Sequence, residues 1–165
     1  MNLIIADATP LILLAKLSLL DVLCERFRLI VPPEVALEAT ERQELADARY
    51  IQKRIEEGGL KIKKVDHKKS ALLGKEWGIG KGEAAVLVLA AAERGVVMTD
   101  DFAAIRVAKA LRLPFTTTPR MLVEFQRQNL LSLDLARAKL FELKTHAWIN
   151  PAVVARMVSI LEGGR

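Results

Sequence analysis

Cysteine is nearly absent from this chain. Of 165 residues only Cys24 carries a thiol, so no disulfide can close within one molecule. That fits a reducing compartment, and a cytoplasmic protein is expected. Aromatic residues are scarce as well, at 5%, against a hydrophobic fraction of 52%, so the core must be built from Leu, Val, Ile and Ala. Such a composition disfavours an aromatic-rich β-sandwich and suits helices packed on a parallel sheet. Long apolar runs are missing too. Asp7 and then Lys16 break the N-terminal run, and no stretch approaches the roughly 18 apolar residues of a membrane span. Neither a secretory signal nor membrane attachment is expected.

Several catalytic signatures are also lacking. Gly80-Lys81-Gly82 looks like part of a phosphate loop, but position 75 is Lys and position 82 is Gly where G-x-x-x-x-G-K-[ST] needs Gly and a hydroxyl. Asp7-Ala8-Thr9 has Thr where phosphoaspartyl enzymes place their second acid. No serine occupies a G-x-S-x-G elbow, and Cys24 falls on an apolar helix face as a core residue. His67 and His146 have no zinc-ligand spacing and read as surface residues, while Trp77 and Trp148 read as packing residues.

What is present is an alternation of short apolar runs with helical stretches, over a length that fits one domain. Strands are predicted at 3–6, 28–31, 60–65, 96–99 and 113–116. Helices are predicted at 10–16, 18–26 with Ser18 as N-cap, 34–42, 44–57, 83–94, 102–111, 119–127, 133–143 and 151–161, with a short helix and a loop between 68 and 80. Alternation of this kind means parallel βαβ units in an α/β protein. The formal net charge of +5 favours a polyanionic partner.

Against that basic balance stand acids at the ends of elements. Asp7 closes the run Leu3-Ile4-Ile5-Ala6, and Asp100-Asp101 follow Val96-Val97-Met98-Thr99. Strand ends and helix starts of an open parallel sheet converge on one crevice, where gathered carboxylates repel unless cations lie between them. Each acid also has a plain structural reading. Asp7 or Thr9 can cap the next helix, one of Asp100 and Asp101 can cap another, and Glu83 suits the first turn of its own helix. Glu34, Glu38 and Glu41 follow i, i+4, i+7 spacing, which does not select among them.

Four short motifs carry a family resemblance. Asp7-Ala8-Thr9-Pro10-Leu11-Ile12, Val31-Pro32-Pro33-Glu34-Val35-Ala36-Leu37-Glu38, Gly82-Glu83-Ala84-Ala85 and Thr99-Asp100-Asp101-Phe102 stand in the order found in PIN-domain nucleases. Over roughly Leu3 to Gln126 the chain resembles their VapC-like archaeal and bacterial branch. The resemblance implies a three-layer α/β/α fold with a central, mainly parallel sheet, and RNA cleavage at an acidic cluster that needs Mg²⁺ or Mn²⁺. It places the family's acids on Asp7, Glu38, Glu83 and Asp101, with Glu at 83 where many members carry Asp. Metal would be held by Asp7, Glu83 and Asp101 with Asp100 as an additional acid, and Glu38 would act directly or through water. Thr9, Thr99 and Lys81 are expected toward the substrate, with Lys16 and Arg106 as further phosphate contacts. Residues 1–130 would form the catalytic domain, and 131–165 a helical extension packed on it and serving dimerisation or a partner peptide. RNA, an antitoxin protein and a second copy of the chain are the expected partners. A different reading is a catalytically silent PIN-fold module that only binds a partner protein.

Overall fold

The computed structural model describes residues 3–163; the outermost residues of the two expected segments, 1–2 and 164–165, lie outside the described residues. In chain order the elements are β1 (Leu3–Ala6), α1 (Ala8–Lys16), α2 (Leu20–Arg26), β2 (Arg28–Val31), α3 (Pro33–Thr40), α4 (Ala46–Glu56), β3 (Lys61–Ile62), α5 (His67–Trp77), α6 (Lys81–Glu93), β4 (Val96–Met98), α7 (Phe102–Ala110), β5 (Phe115–Thr116), α8 (Thr118–Arg127), α9 (Leu133–His146) and α10 (Pro151–Leu161).

The central strands Leu3-Ile4-Ile5-Ala6 and Val96-Val97-Met98 are continuous apolar runs, as strands covered on both faces must be. All five strands pair in parallel, in the order β3-β2-β1-β4-β5. The chain winds outward from β1 to β3, returns past its start to β4, and winds outward again to β5. Right-handed crossovers in these two directions put helices on both faces, the three-layer α/β/α architecture. α6 packs on β1 and β4, and its run of small residues around Ala84, Ala85 and Ala90 is buried there. Gly95 lets β4 enter beside β1, because a Cβ there would stand 2.9 Å from Ile5 Cγ1. α9 and α10 pack against α8 and each other, and Leu140, Leu143, Met157 and Leu161 join the same core as the sheet. No helix among the described residues is long and apolar enough to cross a membrane.

Departures from the sequence expectations have local causes. Ser18 does not cap α2. It takes φ 58°, with its N–H on Ala15 O and the Leu19 N–H on Leu14 O, which is the Schellman closure of α1. α2 then starts at Leu20 without a side-chain cap. β3 pairs over two residues only, because its partner strand stops at Pro32, and β5 is shortened by Pro114; neither proline has an N–H for a ladder. The helix expected between 68 and 80 is longer than a short one, running from His67 to Trp77, capped by Asp66 on the Lys69 N–H and ended by Gly78 at φ 63°, and the loop is confined to 78–80.

Candidate metal centre

The crevice between β1 and β4 is the topological switch point of the sheet, the place where open α/β folds gather their ligand-binding groups. The register pairs Ala6 with Met98, so Asp7 and Thr99 leave the sheet side by side, and the Asp7 N–H donates to Met98 O at 2.9 Å. Asp7 Oδ1 accepts the Ala8 N–H at 2.9 Å, and Oδ2 accepts the Thr99 hydroxyl at 3.0 Å. Asp7 therefore both caps α1 and belongs to the crevice.

Thr99 is only 1% exposed, and its oxygen also accepts the Asp101 N–H at 3.2 Å. The expectation that Thr99 meets substrate is corrected: it is a buried tie that orients Asp7 and the turn carrying Asp101. Such partners of ligating groups matter at roughly 10- to 100-fold in metal affinity. Thr99→Val is expected to weaken divalent-cation binding by about that factor while the chain stays folded, as isothermal titration with Mn²⁺ would measure.

The remaining acids come from three further elements. Asp101 caps α7, its Oδ1 accepting the Ala104 N–H at 2.7 Å. Asp100 lines the same cavity, but both its oxygens accept from Thr118, the N–H at 2.8 Å and the hydroxyl at 2.5 Å. Its first effect is thus to tie the β4 exit to α8. Glu38 lies on the second turn of α3 and Glu83 in the first turn of α6. A cavity of about 450 Å³ is lined by Asp7, Thr9, Glu38, Glu83, Asp100 and Asp101 together. Two hollows of about 660 Å³ lie elsewhere, and neither gathers a comparable set of acids.

The structure separates the glutamates of α3 that sequence spacing left equivalent. Glu34 Oε1 stands 3.3 Å from His67 Nδ1 beside α5, in a hollow shared with Lys75 and Lys81. Lys81 is consequently not in the acid cavity, and neither are Lys16 and Arg106. The reason is that Lys81 is the first residue of α6, a turn position facing α5, two residues ahead of Glu83.

Glycine makes room for the acids. A Cβ on Gly82 would stand 3.5 Å from Glu38 Oε2 and 3.9 Å from Asp7 Oδ1, so the missing side chain leaves a gap between two carboxylates. A Cβ on Gly80 would meet Glu83 Oε2 at 2.2 Å, because the Glu83 side chain folds back over the start of α6.

Burial is the main reason the Asp7 carboxyl is pushed up to about 6, with the charges of Glu83 and Glu38 adding to it and the Ala8 and Thr99 hydrogen bonds opposing it. Glu38 is raised by desolvation and then by Glu83, and Asp100 by burial. Among the described residues no three histidine, cysteine or acidic side chains are grouped to hold an ion as they stand. Hard oxygen donors, an open gap at Gly82 and the buried Asp7 carboxylate fit a hard divalent cation.

Sequence reasoning missed one wall of the cavity. Phe102, Trp148, Ile149, Asn150 and Val153 line it together with the acids. Trp148 is 85% exposed, so the packing role expected for it is corrected. The available signal was its place in the short segment between two amphipathic helices, outside either apolar stripe.

Known proteins offer comparisons for this geometry. A family model described as a PIN domain matches residues 3–162. Among solved structures, PAE2754 from Pyrobaculum aerophilum superposes with a TM-score of 0.59 at 17% identity, over 76% of this chain and 98% of that one. At that identity the likeness speaks for the fold alone. No curated protein matches the chain.

Proposed function

The chain belongs to the PIN-domain family, and from that premise we propose that it is a divalent-metal-dependent ribonuclease. The observation that carries the reading is the convergence of Asp7, Glu38, Glu83 and Asp101 on one cavity at the switch point, with Asp7 buried. Asp7, Glu83 and Asp101 would hold Mg²⁺ or Mn²⁺, and the bound cation supplies neutralisation of phosphate charge and acidifies water. Glu38, whose carboxyl is held above its usual range, is positioned to take a proton from the attacking water. Thr99 and Asp100 hold the β4 exit in place, and Thr9 stands exposed at the cavity wall toward the substrate.

Charge distribution supports a polyanionic substrate. Between Lys61 and Lys81 stand seven lysines against Asp66 and Glu76, a net +5 that equals the excess of the entire chain. These lysines are exposed along β3 and α5, and Lys81 brings their surface to the helix that carries Glu83. A silent binding module would gain a helix cap from Asp7, but nothing from burying that charge within reach of Glu38 and Glu83. We extend the reading to a cytoplasmic enzyme, and to the toxin of a toxin–antitoxin pair. Growth arrest on expression, relieved by the neighbouring gene, is its test.

A labelled single-stranded RNA incubated with Mn²⁺, Mg²⁺ or EDTA tests the enzyme directly. Cleavage in the first two and none in the third is expected; cleavage that persists in EDTA would overturn the proposal. In the same assay, Lys75→Gln with Lys81→Gln is expected to lower the dependence of log KM on log salt by about 0.7 for each phosphate no longer neutralised. An unchanged slope would remove the β3–α5 surface from the substrate path.

A further inference from the structure

Two aromatic rings stand in water at the rim of the acid cavity: Trp148 at 85% exposure and Phe102 at 75%. They arrive from separate elements. Phe102 is the first residue of α7, directly after Asp101, whereas Trp148 lies between α9 and α10. The Trp148 backbone is held although its ring is free. Ala147 and Ile149 on either side pack against the core, the Ala147 N–H bonds to Leu143 O at 3.1 Å, and Asn150 caps α10 through the Ala152 N–H at 2.9 Å. The ring is therefore presented from a fixed segment.

We propose that Trp148, assisted by Phe102, is a stacking platform for a nucleobase beside the scissile phosphodiester, so that the substrate must be single-stranded there. This rests on the nuclease reading of the same cavity. Stacking on an aromatic ring is available to every base, but only when the base face is not covered by its neighbours in a helix. An apolar protein surface fits this rim poorly, because covering the rings would also bury Glu38, Glu83 and Asp101 without partners. A nucleotide satisfies both halves: its base meets the rings, and its phosphate meets the acids through a cation.

Binding can be read without chemistry in the protein carrying Trp77→Phe, where Trp148 is the sole indole, by using RNA with non-hydrolysable linkages. With Mg²⁺ present, a short single-stranded RNA is expected to quench its emission, whereas the same RNA as a duplex, or an abasic ribose-phosphate chain, leaves it unchanged. In the otherwise native chain, Trp148→Ala is expected to raise KM at least about tenfold while kcat shifts by less than about threefold, and Trp148→Phe to restore most of the loss. The effect of Trp148→Ala should vanish on substrate made abasic at the flanking positions. No quench, quench by duplex equal to that by single strand, or equal loss on base-bearing and abasic substrates would each overturn the inference. Quenching by single strands in a protein whose parent cleaves nothing would support the platform and defeat the nuclease reading. Cleavage by the parent without any quench would do the opposite.

Discussion

Replacing Asp7 with Asn is expected to abolish RNA cleavage and to leave the protein more stable at pH 8. The carboxylate sits at the switch point, 6% exposed, with Glu38 and Glu83 acting on it. Neutralising it takes away the charge that would draw in a divalent cation, and rate losses at a preorganised electrostatic site run to roughly 10²–10³-fold for a single group. Asn is as good a helix cap as Asp, so the bond from the Ala8 N–H to residue 7 survives the change. What disappears is the cost of keeping a buried charge. The displacement from 3.8 to about 6 corresponds to something on the order of 3 kcal/mol in stability at alkaline pH. For a chain of this size that amounts to a rise of several degrees in Tm. Cleavage retained within tenfold of the parent would contradict the assigned role. Unfolding of the variant would mean that Asp7 acts chiefly as a cap.

The second large effect is a pH dependence that divalent cations reverse. Because the folded-state value for Asp7 lies above the unfolded one, the native chain holds this proton more tightly than the unfolded chain does. Without metal, the contribution of Asp7 is most favourable below about pH 4 and is lost as pH rises to about 6. Glu38 and Asp100 are raised too, and act in the same direction. Glu44, held low by a backbone hydrogen bond and then by Arg42, changes in the opposite sense, so the informative quantity is the parent minus Asp7→Asn difference across pH 4–8. That difference should grow against the parent with rising pH in EDTA. It should shrink or change sign in Mg²⁺, where saturation at about 100 times Kd adds about 2.7 kcal/mol. A difference that stays flat in EDTA would mean that the carboxylate is well solvated.

Much of this arrangement was legible in the residues, and the reasons are specific. Asp7 and Asp101 could be read because an acid directly after a short apolar strand has few places to go in a parallel sheet. Glu38 could not be read from spacing, since Glu34 and Glu41 share its helix; it emerged through family resemblance. Only geometry shows Glu34 turned toward His67 and Glu38 toward Asp7. The role of Thr99 depends on the Ala6–Met98 register, a long-range pairing that no local pattern contains. The same holds for Trp148, brought to a cavity whose first acid lies at the other end of the chain. Element boundaries went astray at Ser18, Pro32 and Pro114, where turn closure or a missing N–H decided the outcome.

The central claim is that acids remote in sequence share one divalent-cation site, and Mn²⁺ titration followed by electron paramagnetic resonance examines it without a substrate. At pH 8 the free-ion signal should fall saturably with the parent protein, and Asp7→Asn or Asp101→Asn should leave it near the protein-free level. A parent that leaves the signal untouched, or variants that bind Mn²⁺ as tightly as the parent, would contradict the account.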